Sequence, residues 1–236
     1  MILAGQQPNY LPWIGFFHKV SAADVFVLVD HVQYEKRGVT NANAVKTASG
    51  KGELTVPVLS TGRFDQTIRE VEINDAVPWR RKHWRTLSIA YGKTPHFAAH
   101  APFFEDLYAR PWTHLAALNE AIIRYLLGAF RIDRPMHRSS EWPVTGAKTD
   151  LLVSLCRCAG ATGYLSGAGA RKYVDESVLA AAGLTHGFQE FHHPVYPQPY
   201  GAFVPNLSAV DLLFNMGPEA GGLIAANRAP SAQPGA

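Results

Sequence analysis

The run VFVLV, from Val25 to Val29, constrains the fold more than any other stretch of the chain. Nearly continuous and rich in β-branched residues, it reads as a strand buried on both faces, the kind found in a sheet covered by helices on each side. Asp30 then falls at or just past the strand's C-terminal end. Upstream, Trp13, Phe16, Phe17 and Val20 recur at helical spacing between Pro12 and Ala22, with Pro12 suited to a first helical position. Between the apolar opening residues and this helix lies Gln6-Gln7-Pro8-Asn9-Tyr10, more amide and aromatic polar groups than a core segment needs. We read it as a rigid loop at the sheet's end whose amides face a pocket.

Downstream, TNANAVK and GELTVPV form a hairpin about the glycine-containing turn of residues 48–52, and IREVEI alternates as a further strand. Residues 78–91 place Trp79, His83, Trp84, Leu87 and Ala90 at helical offsets. PFFEDLYAR and WTHLAALNEAIIRYLLGAF supply two more helices, the second with an apolar stripe. KTDLLVSLCRCAGA reads as a helix ending near Gly160, TGYLSG as a short strand entering a glycine turn, and YVDESVLAAAG as a helix closed by Gly183. This β-turn-helix order belongs to α/β architecture. A proline- and aromatic-rich crossing from Gly187 leads to a last helix capped by Asn206 or Ser208. The expectation is a single α/β domain over residues 1–224, with a mixed sheet and a helical middle, followed by a disordered tail over 225–236.

At 236 residues with 47% hydrophobic and 17% charged residues, the chain can bury one sizeable core and is not disordered as a whole. A formal charge of +3 gives no electrostatic footprint for nucleic acid, and Arg80-Arg81-Lys82 reads as a solvated helix face. No apolar run reaches the ~18 residues of a membrane helix. Met1 to Gly5 carries no basic n-region, so a cytoplasmic location is expected. The two cysteines, Cys156 and Cys158, stand two apart on a helix and point about 200° from one another, which suits neither a shared metal nor a mutual disulfide. They read as core cysteines of a reducing compartment.

Several separated motifs, QQPNYLPWIGFFHK, DHVQYEKRGVTNAN, LTVPV, PWRRKHWRTLSIAYGKTPHF, YLSGAGARKY and HPVYPQPYGAFVPNLSAVDLLFN, occur in this order. Together they make the chain resemble the WbqC-like family from Gln6 to about Met216. Ala42 and Ala44 depart from the family's pattern, closer to Asn-Arg-Asn-Lys, and leave no basic side chain there. The resemblance implies a role in bacterial cell-surface polysaccharide biosynthesis, O-antigen included, or in related sugar and natural-product clusters. It does not name the reaction.

The residues themselves suggest where chemistry lies. Histidine as a residue type titrates near neutrality, and His18, with Asp30 to orient it, makes a candidate general base, although a histidine near a helix C-terminus also serves as a cap. His83 is the second candidate base if its helix face meets the sheet. Gln7, Asn9, Tyr10, Lys19, Gln33, Tyr34, Lys36, Asn41 and Asn43 are candidate substrate-binding groups, since amides of this kind read hydroxyl and carbonyl groups of a sugar or acyl amide. Tyr164, Ser166 and Gly167 in YLSGAGARKY form a candidate anion site at a strand-turn-helix, although Lys172 stands where a complete dinucleotide fingerprint needs glycine. Tyr196 and Gln198, held between prolines, either face a ligand or strap the domain. His192 and His193 have no third ligand at metal spacing, so no metal site is expected.

Neither a nucleophile elbow nor a glycosidase-type acid pair is present, so covalent catalysis is not indicated. The reading is a transferase moving an acyl or glycosyl group from an activated small molecule, such as a nucleotide sugar or acyl donor, with histidine as base. The other reading is a noncatalytic binding or assembly protein of the same pathway. Neither cofactor nor oligomeric state follows from these residues.

Overall fold

The computed structural model describes residues 1–36 and 38–226. Most of the tail expected over 225–236 lies outside these residues. In chain order the elements begin β1 (Ile2–Gln6), α1 (Ile14–Ser21), β2 (Val25–Leu28), β3 (Ala42–Thr47) and β4 (Gly50–Thr55). The helical middle is α2 (Trp79–Tyr91), α3 (Phe97–Ala109) and α4 (Leu115–Ala129). It leads to β5 (Met136–Arg138), α5 (Lys148–Ala159), β6 (Gly163–Ser166), α6 (Glu176–Ala181) and β7 (Thr185–Phe188). Helices α7 (Ala209–Met216) and α8 (Ala220–Ala225) close the described chain.

Five strands form one sheet in the order β5-β2-β1-β6-β7, and every adjacent pair is parallel. The first strand of the chain therefore sits at the centre, the next two sheet strands on one side of it and the last two on the other. This is the order of doubly wound α/β sheets. The antiparallel strands, β3 and β4, stand apart as a two-stranded hairpin about Ala48 and Ser49.

The run VFVLV behaves as a doubly covered strand should. Phe26 and Leu28 join a core that contains Phe16, Phe17, Leu126, Leu213 and Ile224, whereas Val27 and Val29 join a second core with Leu152, Leu155 and Leu179. The two cores lie on opposite faces of the sheet, with α1, α4, α7 and α8 on one and α5 and α6 on the other. Helix α5 stops at Gly160, left-handed at φ 65°, and Gly183 follows α6 at φ 74°, the conformation that glycine adopts without a Cβ penalty. Ser208 caps α7 by accepting from the Val210 amide.

IREVEI is not a strand. Ile68–Glu70 is a 3-10 turn, and Glu70 reaches back to accept from the Thr67 amide at 2.8 Å and its hydroxyl at 2.7 Å. These local bonds outcompete a ladder. Within the crossing from Gly187, the first two residues belong to β7. The remainder is anchored by Asp211, whose carboxylate accepts from Tyr91, Tyr196 and Gln198 at 2.7, 2.8 and 2.8 Å. Cys156 is buried, which pushes its thiol up to about 11. Among the described residues, no helix is long and apolar enough to cross a membrane.

Candidate functional site at the centre of the sheet

The chain leaves β1 through α1 on one face of the sheet, whereas β6 is entered from α5 on the other. Between two strands connected in this way, the carboxyl edge of a doubly wound sheet opens into a crevice, the usual ligand position in such folds. Here it measures about 660 Å³. Gly5, Gln6, Gln7 and Asn9 line it from the end of β1 and the loop beyond, Lys19 from α1, and Tyr164, Gly167 and Gly169 from β6 and the turn after it. Leu151, Leu152 and Leu155 of α5 form an apolar wall, while the exposed Glu35, Lys148 and Tyr173 stand on its polar and aromatic margin.

Lys19 is the unusual group. It is 5% exposed, and its Nζ donates to the Gly5 carbonyl at 2.8 Å and to Gln6 Oε1 at 3.4 Å. Both partners are neutral, and among the described residues no carboxylate pairs with it. Burial alone lowers its ammonium to about 8. Asn9, 2% exposed, leaves its Oδ1 without a partner. The lining of the crevice thus includes a charged donor and a buried, unpaired acceptor. Gly5 leaves little room here, since a Cβ would stand 3.0 Å from the Tyr164 hydroxyl and 3.2 Å from Val29.

Of the residues singled out in the sequence, the structure brings Gln7, Asn9, Lys19, Tyr164 and Gly167 into this one crevice. The others stand elsewhere. His18 and Asp30 do not pair: Asp30 accepts from Ser139 Oγ, Ser140 N and Ser140 Oγ at 3.0, 2.9 and 2.7 Å. His18 Nδ1 instead accepts from Gln189 Nε2 at 2.8 Å, and its ring lies against Phe191. Gln189 Nε2 also donates to the Gly15 carbonyl, which fixes the amide's orientation.

His83 is 2% exposed and held neutral by burial, its pKa lowered to about 4. Its Nδ1 accepts from Tyr10, whose hydroxyl in turn meets Tyr108 at 2.6 Å, and the Thr55 backbone supplies a further partner. Tyr10 and His83 therefore form a closed polar network under α2. A histidine so engaged is a poor general base.

Gln33 donates to the Phe64 carbonyl, Lys36 lies over the Phe64 ring, and Tyr34 is buried in the main core. Asn41 bonds the Val56 carbonyl and Asn43 the Leu11 carbonyl, so both serve the hairpin. Tyr196 and Gln198 strap the crossing to Asp211. The expected helix N-terminus after YLSG is a short 3-10 turn, Ala168–Lys172, and Arg171 in it stacks on Phe188 at 4.0 Å. Lys19 Nζ stands close to Gly167, 3.5 Å from where a Cβ at that glycine would lie.

Ser166 has a partner that no local motif announces. Its Oγ lies 2.9 Å from His186 Nε2, and His186 Nδ1 lies 3.2 Å from Glu176 Oε2. Among the described residues, no group of three His, Cys, Asp or Glu side chains could hold a metal ion.

The model of the WbqC-like protein family matches residues 7–222. An uncharacterized protein of Mycobacterium tuberculosis is 38% identical over 216 residues, covering 91% of this chain and 93% of the relative. No solved structure matches.

Proposed function

The chain belongs to the WbqC-like protein family, and from that premise we propose that it is a transferase whose crevice seats an activated, anion-bearing small molecule. The donor is a nucleotide sugar or an acyl donor, and its glycosyl or acyl group passes to a hydroxyl or amine of a sugar or small metabolite. Cell-surface polysaccharide or specialised-metabolite assembly is the setting that the family resemblance implies.

The observation that carries this reading is Lys19. Burying an ammonium opposite neutral carbonyls is unfavourable, and a ligand phosphate or carboxylate at the third donor position relieves that penalty. The apolar wall of α5 suits the uncharged part of such a donor, and Asn9 Oδ1 suits a hydroxyl or N–H. His18 and His83, expected from the sequence to act as base, do not line the crevice, and His83 is fully engaged. His186 instead bonds Ser166, the residue before the crevice-lining Gly167.

Calorimetry with nucleotide sugars and acyl-coenzyme A compounds tests the reading. We expect one class to bind, and Lys19→Met to weaken it about 10- to 100-fold, the loss of one charge-assisted hydrogen bond. Undiminished affinity in that variant, or no binding by either class, overturns it. Binding without turnover in the presence of sugar and amine acceptors would make the chain a binding protein instead.

A further inference from the structure

We propose that Ser166 is a nucleophile that carries the transferred group as an ester, with His186 as its base and Glu176 orienting the histidine. The transferred group is then an acyl group. The inference deepens the transferase reading and rests on it for the position of the donor.

Glu176, as a carboxylate, only accepts hydrogen bonds, so the 3.2 Å contact places the imidazole proton on Nδ1. His186 Nε2 then holds the lone pair, and at 2.9 Å the Ser166 hydroxyl donates to it. That is the direction a nucleophile needs, hydroxyl to imidazole to carboxylate. A merely structural serine-histidine bond is free to run either way; in the neutral imidazole the carboxylate removes that freedom.

Ser166 ends β6, His186 is the second residue of the adjacent β7 and Glu176 opens α6, giving the chain order Ser, Glu, His on a parallel sheet. Serine relays on α/β sheets use that order. Tyr164, two residues before Ser166 and on the same face of β6, and Gly167, the residue after it, both line the crevice. Ser166 itself is 2% exposed, but Gly167 carries no side chain between it and the crevice, and Lys19 Nζ lies beside that glycine. A donor anchored on Lys19 by its anionic group is thereby held next to the serine.

The step balances without a further reagent. The Ser166 oxygen attacks the donor's carbonyl carbon, its proton passes to His186 Nε2, and the bond to the leaving thiolate or alkoxide breaks as that group takes the proton. An amine or hydroxyl acceptor then attacks the acyl-serine, loses a proton to His186, and releases Ser166, which regains it.

The full-length protein incubated with p-nitrophenyl acetate provides the test. We expect p-nitrophenolate release with one acetyl group mapped by peptide mass spectrometry to Ser166, and no acetyl at that position in Ser166→Ala. Glu176 is exposed, so Glu176→Gln leaves the melting temperature unchanged and slows acetylation of Ser166 at least tenfold, as does His186→Gln. Acetyl found only on lysines, or Ser166 acetylated equally fast in Glu176→Gln, overturns the proposal. Because p-nitrophenyl acetate is neutral, its reaction does not draw on an anionic group held at Lys19. Failure of the crevice reading therefore shows in donor affinity, and failure of this one in the label.

Discussion

Lys19→Met gives a quantitative test of the buried ammonium. In the folded protein the group ionises near 8, and in the unfolded chain near 10.5. Between these values the unfolded chain binds a proton that the folded chain has released, so stability rises with pH across the window from about 8 to 10.5. Below about pH 8 both states hold the proton, and the folded state carries the whole penalty. At about 1.36 kcal/mol per pKa unit, that penalty is about 3 kcal/mol. Methionine fills the same space without charge but leaves the Gly5 carbonyl unpaired, which costs about 1–3 kcal/mol.

At neutral pH the variant should therefore be as stable as the wild type or slightly more so. By pH 10.5, where the wild-type amine is neutral, it should be the less stable of the two. Urea unfolding of both proteins between pH 7 and 10.5 measures this, and the informative quantity is their difference, because the other titrating groups are shared. That difference should swing by about 3 kcal/mol in favour of the wild type. A difference that stays constant across the range refutes the burial argument. An anionic ligand that holds the amine charged raises its ionisation, so saturating donor should move the swing to higher pH.

His83 gives the same case at acid pH. Its pKa is lowered from 6.5 to about 4, so the unfolded chain binds the extra proton between those values and stability is lost as pH falls from 6.5 toward 4, by up to about 3 kcal/mol. His83→Gln should flatten that loss in denaturant titrations at pH 4.5 and 7 while leaving donor affinity intact. Asp211→Asn removes the charge that Tyr91, Tyr196 and Gln198 share and should destabilise by about 2–4 kcal/mol, a fall of roughly 5–15 °C in melting temperature by calorimetry. Ligand binding in the crevice should survive where the protein remains folded.

How much of this could be read from the residues depended on the range of the signal. VFVLV announced a doubly covered strand because its β-branched run has that meaning wherever it occurs, and Gly160 and Gly183 marked helix ends because a left-handed residue is a local requirement. β5 is only three residues long and β7 four, too short for a period to emerge, and both are edge strands given their place by pairing with distant β2 and β6.

The same distinction sorts the candidate site residues. Gln7, Asn9 and Gly167 stand just beyond central strands, so their position along the chain carried their position in space. His18 and His83 were chosen for their ring chemistry, and residue type says nothing of whether the ring nitrogens are already engaged; Gln189 and Tyr10, 171 and 73 residues away, decide that. Ser166, Glu176 and His186 went unseen as a set because their meeting depends on strand order. With β6 and β7 adjacent and parallel, Tyr164 stands beside His186 and Ser166 beside Phe188, bringing the serine and the histidine onto one face; any other order would separate them. The order of five short strands thus determines both which loops share the crevice and which histidine meets Ser166.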